Sequence, residues 1–405
     1  MFQAILFAAK DARIRVIALA LVMLGFTYAS TLPFQSIIGI QQLHMSERQF
    51  ALLIFGVGIV GMVGNLVLGT LSDFAKSRKT FVLFCLLFGA IGFGLFAILP
   101  SPTTFVMCLL LATPLSGSAF ALLFGTVRSI TAEHSSADAA SINSVVRSFY
   151  AVSWIVVPGL VGFLIAYTNR GSDSFAIAAL AFTLCLIFYW IFGPQVVGGV
   201  VSSTSALVNL RDAAGLIFKD GRGPRLLALS FMASPHPLIS TLFPLMLIQQ
   251  FGGSTAQLGW FFGLVALLEI PLMLVIGAAV QRFQLWAILV FGGMAHAGFL
   301  LLLWVTNSLW TLSLLAILYA LGNAVLLTQQ MSYAQDLLPH RPGLGSSLLS
   351  IVSLASRGLS AAVFAALGII YGFTGALFAG TAICLLGCLG LAILDHGAGV
   401  RRITV

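Results

Sequence analysis

Apolar runs of about 20 residues follow one another along the whole chain, and each is long enough at ~1.5 Å per residue to cross a hydrocarbon layer of ~30 Å. Lipid offers no partner for backbone N–H and C=O groups, so a spanning segment has to satisfy them within itself. The two-residue alternation of a barrel strand is absent, which leaves helices. Composition points the same way: 60% of the 405 residues are hydrophobic and 7% charged, where a soluble domain carries roughly a quarter charged. A water-soluble fold is excluded, and the expected fold class is an all-α membrane protein with twelve transmembrane helices. The spans read as 15–40, 50–71, 80–99, 104–130, 141–168, 174–193, 223–250, 256–279, 284–304, 308–332, 345–371 and 374–394.

The first run is too long for a signal-peptide core and lacks a small-residue cleavage site, so it reads as an uncleaved first span. Lys and Arg are retained on the cytoplasmic side of a membrane. Twelve spans with both termini cytoplasmic put nearly all of them there, including Lys10, Arg13, Arg15, Lys76, Arg78, Lys79, Arg211, Arg222, Arg225, Arg282 and Arg341; Arg48 and Arg170 fall outside. The net charge of +8 is then a topology signal. No basic run with interleaved aromatics points to nucleic acid. Cys85, Cys108, Cys185, Cys384 and Cys388 sit in apolar spans without metal-ligand spacing and read as buried thiols, with no metal and no cofactor expected.

The longest polar stretch, residues 194–222, divides the chain into halves, 1–193 and 223–405. Within it Leu207, Leu210, Ala214, Ile217 and Phe218 recur at helical spacing, as in an amphipathic helix on the cytoplasmic surface. The halves rhyme. Arg147 and Arg357 each begin a long apolar stretch after a polar loop carrying an acid, Glu133 in one and Asp336 in the other. Two six-helix repeats of this kind imply a solute site and alternating access by rocking.

Gly69, Leu71, Asp73, Arg78 and Lys79 stand in the order G-x-L-x-D-x-x-x-x-[RK]-[RK]. This resembles the cytoplasmic signature of the major facilitator superfamily, with Phe74 and Lys76 departing from it. A glycine lets helices approach closely, and an acid at a helix end can pair with cations or a helix amino terminus. Gly69, Asp73, Arg78 and Lys79 are therefore candidates for a cytoplasmic gate. The second half has a worn counterpart, Gly277 to Arg282. Pro158-Gly159 and Gly162 partly match a motif of antiporter-type members, and a structural kink explains them equally well. Leu267-Leu268-Glu269-Ile270-Pro271, Gln335 to Pro339 and Ser144 to Arg147 are similar to the bacterial sugar efflux transporter family. That resemblance implies export of sugars or glycosides, coupled to proton entry, in the bacterial inner membrane.

Glu269 is the acid placed near the middle of a span, where a carboxylate is costly unless protonated, paired or facing water. It is the candidate proton-coupling residue; a neutral Glu bonded between helices is the competing reading. His236 lies in Ser234-Pro235-His236-Pro237, where two prolines should break the helix, and is the second proton-coupling candidate. Arg147 and Arg357, read as lying a turn or two inside their helices, either bind solute or pair with Glu133 and Asp336 as latches; Arg128 belongs with them. Tyr28, Gln35, Asn65, Tyr150, Trp154, Asn323 and Gln329 are the candidate solute-binding residues, since amides and aromatic faces suit a sugar.

No Walker-type loop and no clustered nucleophile, base or metal set is present, so neither ATP drive nor an enzyme is expected. The leading expectation is a monomeric, proton-coupled exporter of sugars or small polar solutes. A multidrug/proton antiporter is the rival within the class, and a non-transporting membrane sensor the rival outside it.

Overall fold

In a computed structural model the described residues are 10–74, 77–131, 136–196, 222–280, 282–306, 308–337 and 342–396. They contain 12 helices long and apolar enough to cross a membrane. We number them α1 to α12. Helix α1 covers Ala12–Thr31 and runs on through a 3-10 turn, Leu32–Phe34, and a π turn, Ile37–Gln42. Then come α2 (Glu47–Phe74), α3 (Arg78–Ile98) and α4, built from Pro102–Met107, a π turn at Cys108–Ala112, and Thr113–Ile130. Helices α5 (Ser136–Thr168) and α6 (Ser172–Phe192) complete the first half. In the second, α7 is split into Arg222–Ala233 and Pro235–Gln249, followed by α8 (Thr255–Ala279) and α9 (Leu285–Val305). Helix α10 is Leu309–Asp336, α11 is Pro342–Val363 ending in a π turn at Phe364–Gly368, and α12 is Ile369–His396.

The irregularities have local causes. Pro114 has no N–H to give, and the ladder ahead of it widens to a π turn in which the Thr113 hydroxyl donates to the Cys108 carbonyl at 3.2 Å. Helix α7 breaks at Ser234, just before Pro235 and Pro237. The Ser234 carbonyl, which starts the second piece by accepting from the Leu238 N–H at 3.3 Å, also accepts from the Ser360 hydroxyl of α11 at 2.6 Å. Gly372, at φ +64°, turns the chain inside the first residues of α12, a conformation that glycine adopts without a Cβ penalty.

The chain divides into two compact units, residues 1–45, 59–204 and 254–263 in the first, and 46–58, 205–253 and 264–405 in the second. This differs from a plain division at the central polar stretch: the start of α2 packs with the second unit, and the start of α8 with the first. The amphipathic segment expected within 194–222 falls on 197–221, outside the described residues.

Apolar side chains gain nothing by leaving lipid for each other, so packing and small residues hold such units together. In the first, Phe93, Phe96, Phe105, Phe175 and Phe182 form a buried aromatic cluster, Phe96 edge-on to Phe175 at 4.6 Å and Phe93 against Phe182 at 5.1 Å. Gly162 of α5 and Gly259 of α8 sit where a Cβ would strike the Thr255 and Pro158 carbonyls, and Thr255 donates to the Gly162 carbonyl at 2.9 Å. In the second unit Gly292 lies against Val325 and Gly293 against Met232 and Cys388. Large apolar side chains such as Phe163, Trp190, Leu274 and Ile393 are exposed, as a surface meant for lipid requires.

Two expected positions are corrected. Helix α5 starts at Ser136 and α11 at Pro342, so Arg147 and Arg357 lie about 16 Å and 22 Å into their helices rather than a turn or two. The first residues of both helices, 136–140 and 342–344, read as loop in the sequence, which put these arginines closer to the ends than they are.

Candidate functional site

The second unit gathers His236, His296 and Glu269 around one amide. Asn323 lies midway along α10 and is buried. Its Oδ1 is 2.8 Å from His236 Nδ1, on the broken helix α7, and 3.1 Å from His296 Nε2, on α9. Its Nδ2 donates to Glu269 Oε1, on α8, at 2.9 Å. The Tyr319 hydroxyl, one turn before Asn323, stands 3.3 Å from His236 Nδ1, and the tyrosine ring packs against both imidazoles with centroids 6.1 and 5.6 Å away. Four helices thus meet at a single side chain whose two ends carry opposite hydrogen-bonding character.

Local sequence explains the convergence. The break at Ser234-Pro235 puts His236 in the first turn of the second piece of α7. Gly322 leaves the space into which the His296 ring fits, because a Cβ there would collide with it. Glu269 is half-buried and His296 has no exposed surface, whereas His236 is exposed. Arg357 is exposed too and lies within electrostatic range of His236. Its stem packs on α2, where a Cβ on Gly58 would be 3.3 Å from Arg357 Cδ.

Of the expected proton-coupling pair, His236 and Glu269 are brought to the same partner, Asn323. The other expected solute-binding residues are distributed differently. In the first unit the Tyr28 hydroxyl is buried, 2.9 Å from the Ser116 hydroxyl, and Asn65 accepts from Ser118 at 2.8 Å. Tyr150 and Trp154 are half-buried on α5, Tyr150 edge-on to Phe120 at 5.0 Å. Gln35 is buried, and its Nε2 has no hydrogen-bond partner among the described residues. In the second unit Gln329 is buried and donates to the Thr328 hydroxyl at 3.0 Å.

Among the gate candidates, Arg78 is buried and donates to the Gly125 carbonyl at 2.7 Å and the Ser129 hydroxyl at 3.1 Å, near the carboxyl end of α4, where a helix dipole favours a cation. Arg147 places its guanidinium 5.6 Å from the centre of the Phe124 ring. Among the described residues no ion pair joins Arg357 to Asp336, and the depth of Arg357 in α11 is the reason the expected latch is not made. Lys79 is half-buried at the start of α3. Gly69, Asp73 and Arg128 lie in helices whose side chains at those positions are outside the description, and Glu133 lies outside the described residues.

Sequence reasoning missed His296, Tyr319 and a buried ion pair. Asp395, 3% exposed, accepts from Arg225 Nε and from the Tyr333 hydroxyl, both at 2.6 Å, and Arg225 also donates to the Leu394 carbonyl at 2.8 Å. His236 and His296 are the histidines carried inside apolar spans, and that coincidence was the available signal for the pair.

A family model described as the Major Facilitator Superfamily matches residues 17–361. The chain belongs to the major facilitator superfamily. Among facilitator relatives, it is 27% identical to sugar efflux transporter A of Dickeya chrysanthemi over 373 residues, covering 89% of this chain and 92% of that one. It is 26% identical to sugar efflux transporter C of Escherichia coli strain K12, covering 81% and 82%. Solved facilitator structures share the fold. The nucleoside transporter NupG superposes with a TM-score of 0.76 at 14% identity, over 97% of this chain and all of that one. A POT family transporter in complex with a thioalcohol-conjugated peptide gives 0.79 at 12%, over 96% of each. The protein is a multi-pass membrane transporter of small molecules and not an enzyme.

Proposed function

We propose that this facilitator exports sugars or related small polar solutes across a bacterial inner membrane by alternating access, as a monomer with both termini in the cytoplasm, and that proton entry through Glu269 drives it. The solute class is supported by relatives named sugar efflux transporters over most of the chain. The coupling reading rests on one observation: a half-buried carboxyl in the middle of α8, held by the Asn323 amide, which also meets two imidazoles. A carboxyl removed from water favours its neutral form, and an amide N–H favours the ionised one. A group held between those two influences is suited to loading and releasing a proton. His236, exposed and bonded to the same amide, gives protons a route to it.

The test is transport by the reconstituted chain in proteoliposomes with an imposed pH gradient, offering labelled sugars, glycosides and cationic drugs. Glu269→Gln is expected to abolish gradient-driven accumulation while counterflow exchange of the same solute persists. Unchanged driven transport in that variant removes the proton assignment, and accumulation of cationic drugs without sugars removes the solute assignment.

A further inference from the structure

Asn323 can offer Glu269 either end of its amide, and the two ends favour opposite states of the carboxyl. The N–H end donates to a carboxylate. The carbonyl end can only accept, and so requires a protonated partner. What holds the amide the first way round is the pair of ring nitrogens behind it, each of which must bring a proton to Oδ1.

The two histidines are not equivalent in that task. His236 is exposed, so water can serve its second nitrogen and its proton can move from one nitrogen to the other. His296 is fully buried, and its Nδ1 has no hydrogen-bond partner among the described residues. A bare lone pair is tolerable there, but an N–H with no acceptor is much less so, and a charged ring less again. The ring proton is therefore fixed on Nε2, 3.1 Å from Asn323 Oδ1. Gly322 fixes the ring itself, because only a residue without a Cβ lets the imidazole lie at that point of α10.

We propose that His296 is a positioning residue: as a permanent neutral donor to Asn323 Oδ1, it keeps the amide N–H turned toward Glu269 and so sets the pH at which that carboxyl releases its proton. The proposal rests on Glu269 being the proton-carrying group. The other titratable or charged groups around the cluster are His236 on α7, Tyr319 on α10 and Arg357 on α11. On α12, which packs against α9, the thiols of Cys384 and Cys388 are directed at the Gly293 and Val290 carbonyls, at 3.2 and 3.8 Å. A substitution at His296 leaves all of these groups in place, and a Phe there keeps a ring against Tyr319.

The experiment needs no solute. Infrared difference spectra of the purified full chain, recorded across a pH series, follow the C=O stretch of protonated carboxyls, and the Glu269 band is identified by its loss in Glu269→Gln. His296→Phe keeps a ring against Gly322 but removes the donor, and frees Asn323 to turn its carbonyl toward Glu269. The Glu269 midpoint is expected to move toward alkaline pH by about one unit, a tenfold gain in proton affinity. His296→Asn, whose amide is too short to reach, should shift it likewise and serves where the Phe variant does not fold. His296→Gln, which can extend an N–H to Asn323, should remain close to wild type. Coincident midpoints in wild type and the donor-less variants overturn the proposal, as does a Gln variant that shifts as far as Phe. If wild type shows no titrating Glu269 band, the proton reading itself fails and this inference goes with it.

Discussion

Both units cross-link their helices with buried hydrogen bonds, but they use different chemistry to do it. In the first unit several join neutral groups, Tyr28 with Ser116, Asn65 with Ser118, and Ser153 donating to the Val22 carbonyl at 2.8 Å, and the buried Arg78 donates to a backbone carbonyl and a hydroxyl. In the second they involve ionisable groups, Glu269 and two histidines around Asn323, and Arg225 and Tyr333 on Asp395. Neutral bonds between helices are worth about 0.6–2 kcal/mol in membrane proteins and hold the same pattern at every pH. Bonds to charged groups are stronger, and they change when a proton arrives. Of the contacts just named, those of the first unit, Arg78 apart, join neutral groups, and those of the second include groups that can gain or lose a proton.

The largest expected effect tests the charged side of that contrast. Asp395→Ala leaves the Arg225 guanidinium, only 17% exposed, and the Tyr333 hydroxyl without their shared acceptor. Loss of one partner of a buried pair costs about 3–5 kcal/mol, because the surviving charge stays buried without its counter-charge. Thermal unfolding of the purified chain in detergent should show a correspondingly large drop. The double replacement Arg225→Met with Asp395→Leu should recover most of it. A single variant no weaker than wild type would mean that this pair is solvated in a way its burial does not indicate.

How much of this was legible in the sequence depended on whether one residue or a meeting of several carried the signal. The twelve spans could be read because each is a continuous apolar run, and the break in α7 because Pro235 and Pro237 both lack an N–H. Glu269 stood out because an acid inside such a run is expensive wherever it points. His296 did not, because a lone histidine among Gly, Met and Ala reads as a core residue until Asn323 is seen beside it. The depth of Arg357 was underestimated in part because the start of α11, Pro342 to Leu344, reads as loop. Asp395 lies at the last turn of α12, where an acid reads as the start of a solvated tail; only its contact with α7 and α10 reveals a buried charge. The π turn of α11 has no proline to announce it.

On the neutral side, Tyr28→Phe removes one hydroxyl from the α1–α4 contact. The expected loss is about 1 kcal/mol, since Ser116 still reaches the Thr113 carbonyl at 3.1 Å. The pH dependence of unfolding should match wild type, because nothing that titrates near neutrality has been touched. A loss as large as that of Asp395→Ala would break the contrast between the units, and a changed pH profile would show that protonation alters the first unit.

The smallest effect belongs to a charge pair of the opposite kind, at the start of α1, where the Asp11 side chain is 14% exposed and its partner opens to solvent. Asp11 accepts from the Arg13 backbone N–H at 2.8 Å, capping α1, and its carboxylate pairs with the Arg13 guanidinium, also at 2.8 Å, with the Arg side chain 56% exposed. The hydrogen bond from the Arg13 side chain holds the Asp11 carboxyl below its ordinary value of 3.8, against a smaller opposing effect of burial. A carboxyl depressed in the folded state stabilises it fully above the unfolded value and loses that contribution as pH falls through the folded value. The stabilisation is therefore complete at neutrality and fades only in strong acid. Asn is as good a helix cap as Asp, so Asp11→Asn isolates the charge. It should lower stability by less than about 1 kcal/mol at neutral pH, and by still less in high salt, where exposed pairs are screened. Unfolding midpoints of both proteins, measured from neutral pH down to the acid range at low and high salt, should converge at the acid end. A gap that persists there, or that resists salt, would show that the cover over Asp11, and not the exposure of Arg13, sets the strength of the pair.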